Sequence, residues 1–194
     1  MGMDFSLIKK YAAEITITDD LLEIGSDHGE GSTSVLNDIA FANQKVLYSV
    51  DMDDTVIRKN SEKYHGTAVK FYNIKGEDFL DEHTNLKFSI VLLDNFDWNW
   101  WINQTPPNFL TEQQDTYQSK FQLDMTNTNS QITHLVQALK LTNMLSQQCV
   151  IVCDDTFVNN NQTYDGKCGA AVPYLLTLGF VPQVETNGVV LVRK

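Results

Sequence analysis

The sequence predicts a doubly wound α/β domain: a mostly parallel sheet of seven strands, covered by helices on both faces and ended by a C-terminal antiparallel hairpin. Three observations predict it. Strand-sized apolar runs alternate with helix-compatible segments. The first of those runs, "LLEIG", opens into the loose loop "GSDHGEG". The tail "FVPQVETNGVVLVRK" places two strand-like runs around Asn187-Gly188, a strong hairpin signal.

Taken in order, "DFSLIKKYAAE" reads as a short leading helix and "LLEIG" as the first strand. After the glycine loop, "STSVLNDIAFAN" has apolar residues at Val35, Leu36, Ile39 and Ala40, helical spacing, with Ser32 or Thr33 near its start. "KVLYSVD" is the second strand, followed by a polar helix from about Asp54 to Tyr64 and a third strand, "AVKFYNI". "GEDFLDE" opens the next connection and "FSIVLLD" is the fourth strand. "QITHLVQALKLTNMLS" is an amphipathic helix, "CVIVCDD" the fifth strand, and "GAAVPYLLTLG" a helix closing at Gly179 that tolerates Pro173 only in its first turn. Residues 95–129 break the alternation. They are rich in Trp, Gln, Asn and Thr, include Pro106 and Pro107, and show no sustained period, so a lid or substrate-facing insertion is expected there, with a surface excursion as the plainer alternative.

The chain of 194 residues is read as one domain, 1–194, carrying this insertion. Its longest apolar runs are strand-sized, far short of the roughly 20 residues that span a bilayer, and no secretory h-region stands at the start. A cytoplasmic protein without membrane contact is expected. Its net charge of -11, with scattered basic residues, disfavours a nucleic-acid partner. Cys149, Cys153 and Cys168 form no CxxC pair, which favours reduced thiols, the first two as small buried strand residues. His65, His83 and His134 show no metal-ligand spacing.

Glycines at a strand-to-helix turn let a ligand approach the backbone, and the helix that follows offers free N–H groups. The spacing Gly25, Gly29, Gly31 is neither the GxGxxG of dinucleotide-binding folds nor a P-loop. The pattern Glu23-x-Gly25-x-x-x-Gly29-x-Gly31 resembles the first motif of class I S-adenosylmethionine-dependent methyltransferases, a Rossmann-like family in which this loop passes under the methionine part of the cofactor. The resemblance implies cofactor contacts from Glu23, Gly25, Ser26, His28, Gly29, Gly31 and Ser32, with capping or solvent exposure the plainer role for His28. It further implies that Asp51, next to Met52, accepts from the ribose hydroxyls. In "KGEDFL" it places Asp78 at the adenine amino group, flanked by Glu77 and Phe79. The terminal hairpin agrees with this family, since a dinucleotide fold usually adds another parallel strand.

A narrower likeness rests on acids at two strand ends, Asp94 in "VLLDNFDW" and Asp154-Asp155 in "VIVCDDTF". The family's strand order implies that these two strands are neighbours, with ends only ~5 Å apart, so these carboxylates repel unless a cation, a bound sulfonium or a raised pKa intervenes. The arrangement is similar to the catechol-type O-methyltransferases and related bacterial and phage proteins. That likeness implies Mg2+ held by Asp94, Asp154 and Asp155 beside the acceptor. Two departures stand out: Asp97 occupies the place of the family's lysine base, and Asp155 that of an asparagine ligand. Asp94 and Asp97 are the candidate catalytic residues, with Asp94 also at the cofactor. Trp98, Trp100 and Trp101 are candidates for an aromatic wall around a flat acceptor, with packing against the sheet as the plainer alternative.

The expected activity is therefore methyl transfer from S-adenosylmethionine to a small molecule, at oxygen. A cofactor-binding accessory module without turnover and an NAD-dependent oxidoreductase are the alternatives, and the oligomeric state, homodimer included, is left open.

Overall fold

Alternate residues of each strand face opposite sides of one central sheet, and this period of two builds two separate cores. The computed structural model describes residues 3–27, 29–101 and 107–194. Its parallel strands are β1 (Asp20–Ile24), β2 (Leu47–Asp51), β3 (Val69–Asn73), β4 (Phe88–Leu93) and β5 (Leu145–Asp154). A small hairpin, β6 (Thr156–Val158) and β7 (Tyr164–Gly166), precedes the terminal pair β8 (Val181–Glu185) and β9 (Gly188–Arg193). The seven-stranded sheet has the order β3-β2-β1-β4-β5-β9-β8, antiparallel only where β9 meets β5 and β8.

The helices α1 (Leu7–Ala12) and α2 (Ser32–Ala42) cover one face, over Leu21, Ile90, Leu92, Val150 and Val152. The other face packs Leu22, Ile24, Val91, Leu93 and Ile151 against α4 (Gly76–Glu82), α6 (Asn127–Leu141) and α7 (Ala171–Thr177). The polar helix α3 (Asp54–Lys63) starts at Asp53, whose carboxylate accepts from Thr55 N at 2.8 Å. All three cysteines are buried and unpaired. Among the described residues, no helix is long and apolar enough to cross a membrane.

Five details depart from the sequence reading. The helix expected to run through Ser146 begins four residues earlier than drawn, because Thr126 caps Asn129 N at 3.1 Å, and it ends at Leu141. The residues Leu145 and Ser146 instead extend β5, where Leu145 pairs with Phe88. The terminal turn centres on Thr186-Asn187, since Glu185 pairs with Gly188 and the left-handed position is Asn187, at φ 59°. Residues 95–129 contain α5 (Asn108–Thr116) and a π-helical turn (Tyr117–Phe121), and the β6–β7 hairpin carried no sequence signal strong enough to predict. Pro173 is the third residue of α7, within the first turn as required.

Candidate active site

The chain reverses its winding direction between β1 and β4, and such a reversal opens a crevice at the carboxyl ends of the strands. Gly25 leaves β1 at φ +96°, and a Cβ there would stand 2.6 Å from the backbone of both Asp94 and Asn95. Only glycine lets the ends of β1 and β4 pass this closely. Beyond β4, Phe96 adopts a left-handed φ of 57°, an uncommon state for a bulky residue. It is held by Ser130 Oγ, which donates to its carbonyl at 3.0 Å, and by an edge-on contact with Tyr117, ring centres 5.0 Å apart.

Glu23 lies under the glycine loop. Its carboxylate accepts from Ser32 Oγ (2.7 Å), Thr33 Oγ1 (2.8 Å) and Ser49 Oγ (2.6 Å), tying the start of α2 to β1 and β2. Burial pushes its pKa up to about 7 against those three donors. The side chain therefore supports the loop from below.

A cavity of about 680 Å³ fills the crevice, within the usual size of a small-ligand site. Of the residues expected at the cofactor or the chemistry, Gly25, Asp51, Met52, Glu77, Asp94 and Asp97 line it. Glu23, Ser26, Gly29, Gly31, Ser32, Asp78 and Phe79 do not, and Phe79 is fully buried in the core. His28 lies outside the described residues. The Asp51 carboxylate accepts from Ser26 N at 3.1 Å and Asp53 N at 2.9 Å, and burial raises its pKa. Glu77 accepts from Gln137 Nε2 at 2.9 Å.

The insertion forms the opposite wall through Gln113, Thr116, Tyr117, Phe121 and Leu123. The aromatic lining is Phe96, Tyr117 and Phe121 rather than the three tryptophans. Trp100 stacks on Phe157 at 5.4 Å, and Trp101 meets Phe109 edge-on at 5.2 Å. The Tyr117 hydroxyl donates to Asp97 Oδ2 at 3.0 Å and accepts from Asp97 N at the same distance. Sequence reading missed Tyr117 and Phe121, whose only trace was their spacing of one helical turn in an otherwise aperiodic stretch. It also missed Asn95, a residue of the cavity wall whose Oδ1 is buried and has no hydrogen-bond partner among the described residues.

The acids at the ends of β4 and β5 do come together, but around a side chain the sequence had not marked. Lys167 Nζ lies 2.7 Å from Asp94 Oδ1 and 3.3 Å from Asp155 Oδ2, with only 5% of its side chain exposed. The third acid, Asp154, accepts from Met3 N at 2.7 Å. The structure does not support the expected Mg2+ site: an ammonium stands between two of the three proposed ligands, in a buried ion-pair cluster. No group of three acidic, histidine or cysteine side chains fit for a metal occurs among the described residues. Burial pushes the Asp94 carboxyl up to about 8, with Lys167 opposing and Asp154 adding to the rise. Burial also works against the charge on Lys167, yet Asp94, Asp155 and Asp97 outweigh it and hold the ammonium well above its ordinary pKa.

No known family and no curated protein matches this sequence. Solved structures do match its fold. The O-methyltransferase NovP superposes with a TM-score of 0.62 at 12% identity, covering 98% of this chain and 78% of that one. The Podospora anserina methyltransferase PaMTH1, solved with SAH bound, gives 0.59 at 15% identity over 97% and 76%. A Clostridium thermocellum protein described as an rRNA methylase gives 0.58 at 10% identity over 98% and 96%. This chain has the class I methyltransferase fold. In class I terms, the cavity lies where β1, β2 and β4 end, and the acid closing β2 is Asp51. A carboxylate-rich cavity suits a cationic, amino-bearing ligand such as S-adenosylmethionine, so the residues present fit that cofactor.

Proposed function

We propose that the chain is an S-adenosylmethionine-dependent methyltransferase acting on a small-molecule acceptor, at oxygen. The observation that carries this reading is the acidic cavity at the winding reversal, with Gly25 and Asp51 on one side and the insertion on the other. In this reading residues 1–194 work as one cytoplasmic domain, with α5 and the π-helical turn as its lid.

When bound, S-adenosylmethionine supplies an electrophilic methyl group on a sulfonium. Asp51 holds the sugar hydroxyls, and Gly25 leaves room for the backbone to run beside the amino-acid part. Glu77 and Met52 border the base. The Asp94 carboxylate orients the acceptor hydroxyl and takes its proton, a role suited to a group whose pKa is near neutrality. Asp97, fixed by Tyr117, is a second carboxylate on the cavity wall that accepts hydrogen bonds. Phe96, Tyr117 and Phe121 exclude water from the reacting pair.

Calorimetry with S-adenosylhomocysteine and with NAD tests the cofactor. One S-adenosylhomocysteine per chain and no NAD is expected, and Asp51→Asn should weaken binding by roughly 10- to 100-fold through loss of charged hydrogen bonds. Transfer of a labelled methyl group to a panel of phenols, carboxylic acids and amines then tests turnover. Binding without transfer to any of them would favour the accessory-module reading, and NAD binding would sink the proposal.

A further inference from the structure

We propose that Lys167 is a built-in cation that takes the place of a divalent metal ion between the ends of β4 and β5 and positions Asp94 at the cavity. The positioning half of this inference rests on the methyl-transfer reading; the replacement of the metal does not.

The local backbone is constructed to deliver this one side chain. Gly166 pairs with Thr156 across the β6–β7 hairpin, at φ +86°, and a Cβ there would stand 2.0 Å from the carbonyl oxygen of Asp155. That contact excludes every other residue and brings Lys167 N to donate to the same carbonyl at 3.0 Å. On the far side, Cys168 N donates to Thr156 Oγ1 at 3.1 Å. The chain is thus pinned on both sides of Lys167, and its ammonium falls between Asp94 and Asp155. Asp155 is itself held at a left-handed φ of 45°.

The charges explain why a cation must stand there. Asp94, Asp154 and Asp155 come from adjacent strand ends, and carboxylates this close cannot all ionise without a counter-charge. An ammonium supplies that charge as a covalent part of the chain, and its hydrogens are directed to the acids. Lys167 is not part of the cavity lining, whereas Asp94 is, so the lysine acts through Asp94. Asp155 Oδ1 is buried with no hydrogen-bond partner among the described residues, so the cluster would offer oxygen ligands to a metal once the ammonium is removed.

Titration with Mn2+, followed by the electron paramagnetic resonance of the free ion, tests this directly. Wild type and Lys167→Arg should leave the free-ion signal unchanged. Lys167→Ala should take up one Mn2+ per chain, at least about 10-fold more tightly than wild type. That uptake should disappear in Lys167→Ala combined with Asp94→Asn. Mn2+ should also raise the melting temperature of Lys167→Ala and leave that of wild type unmoved, which simple loss of packing would not produce. Should Lys167→Ala not fold, wild type and Lys167→Arg still decide. Stoichiometric Mn2+ uptake by wild type, abolished by Asp155→Asn, overturns the proposal, as does a folded Lys167→Ala that takes up none. S-adenosylhomocysteine calorimetry in parallel keeps the two readings apart: its failure removes the methyl-transfer role and leaves the cation replacement standing.

Discussion

At the scale of single residues, Glu23 shows how a motif residue can serve the site without facing it. Its position in the glycine motif was legible in the sequence, but the direction of its side chain depended on which face of β1 the odd-numbered residues occupy. Leu21 and Glu23 share the α2 face, so the carboxylate is enclosed by Ser32, Thr33 and Ser49. Because burial lifts its pKa from 4.5 to about 7, the folded chain holds this proton more tightly than the unfolded chain does. The resulting stability is fully present below pH 4.5 and is lost as pH rises through about 7. Denaturant unfolding of wild type and Glu23→Gln across that window should show wild type losing about 3 kcal/mol of unfolding free energy relative to the variant from the acid side to the alkaline side. A constant difference would mean that the three hydroxyls keep the carboxylate ionised throughout.

At the scale of elements, the insertion is where sequence reading ran out. Its polar composition hid α5 and the π-helical turn, because the apolar residues that anchor them are few and pack on partners outside the segment's own period. Leu110 and Tyr117 bury against Phe96 and Met125, a small third core over the cavity. The same roof is pinned to the start of α3 by Lys120, 2.7 Å from Asp53 and 3.1 Å from Asp54. These two anchors differ in strength. A half-exposed ion pair contributes at most about 1 kcal/mol, whereas truncating a buried leucine costs about 2–5 kcal/mol. Leu110→Ala should therefore speed amide exchange through residues 108–121 and weaken S-adenosylhomocysteine binding, while Lys120→Ala changes both only slightly. Equal effects from the two variants would show that the ion pair, rather than the apolar cluster, holds the roof. Three other helices behaved differently: α2, α3 and α7 lie close to where the sequence put them, since residue spacing is a local signal.

At the scale of the whole molecule, net charge bears on two acceptor classes that the fold alone leaves together. One structure of similar fold is described as an rRNA methylase and another as an O-methyltransferase, but this chain carries a net charge of -11. Phosphate backbones bind proteins most tightly at low salt and through basic surface. Labelled RNA titrated with the protein at low salt should show flat fluorescence anisotropy, and saturable binding that weakens with added salt would move the acceptor reading to RNA. The sequence by itself determined the alternation of strands and helices, the closing hairpin, the glycine turn and the acids at the strand ends. Each of these is written in short-range periodicity, turn chemistry or spacing, which neighbouring residues settle among themselves. Only the tertiary structure decided that Phe96, Tyr117 and Phe121 line the cavity, and that Lys167, 73 positions beyond Asp94, reaches it at 2.7 Å. The reason is geometric: strand order and a glycine-tight hairpin bring these side chains together, and no local pattern records which distant residue a strand end will meet.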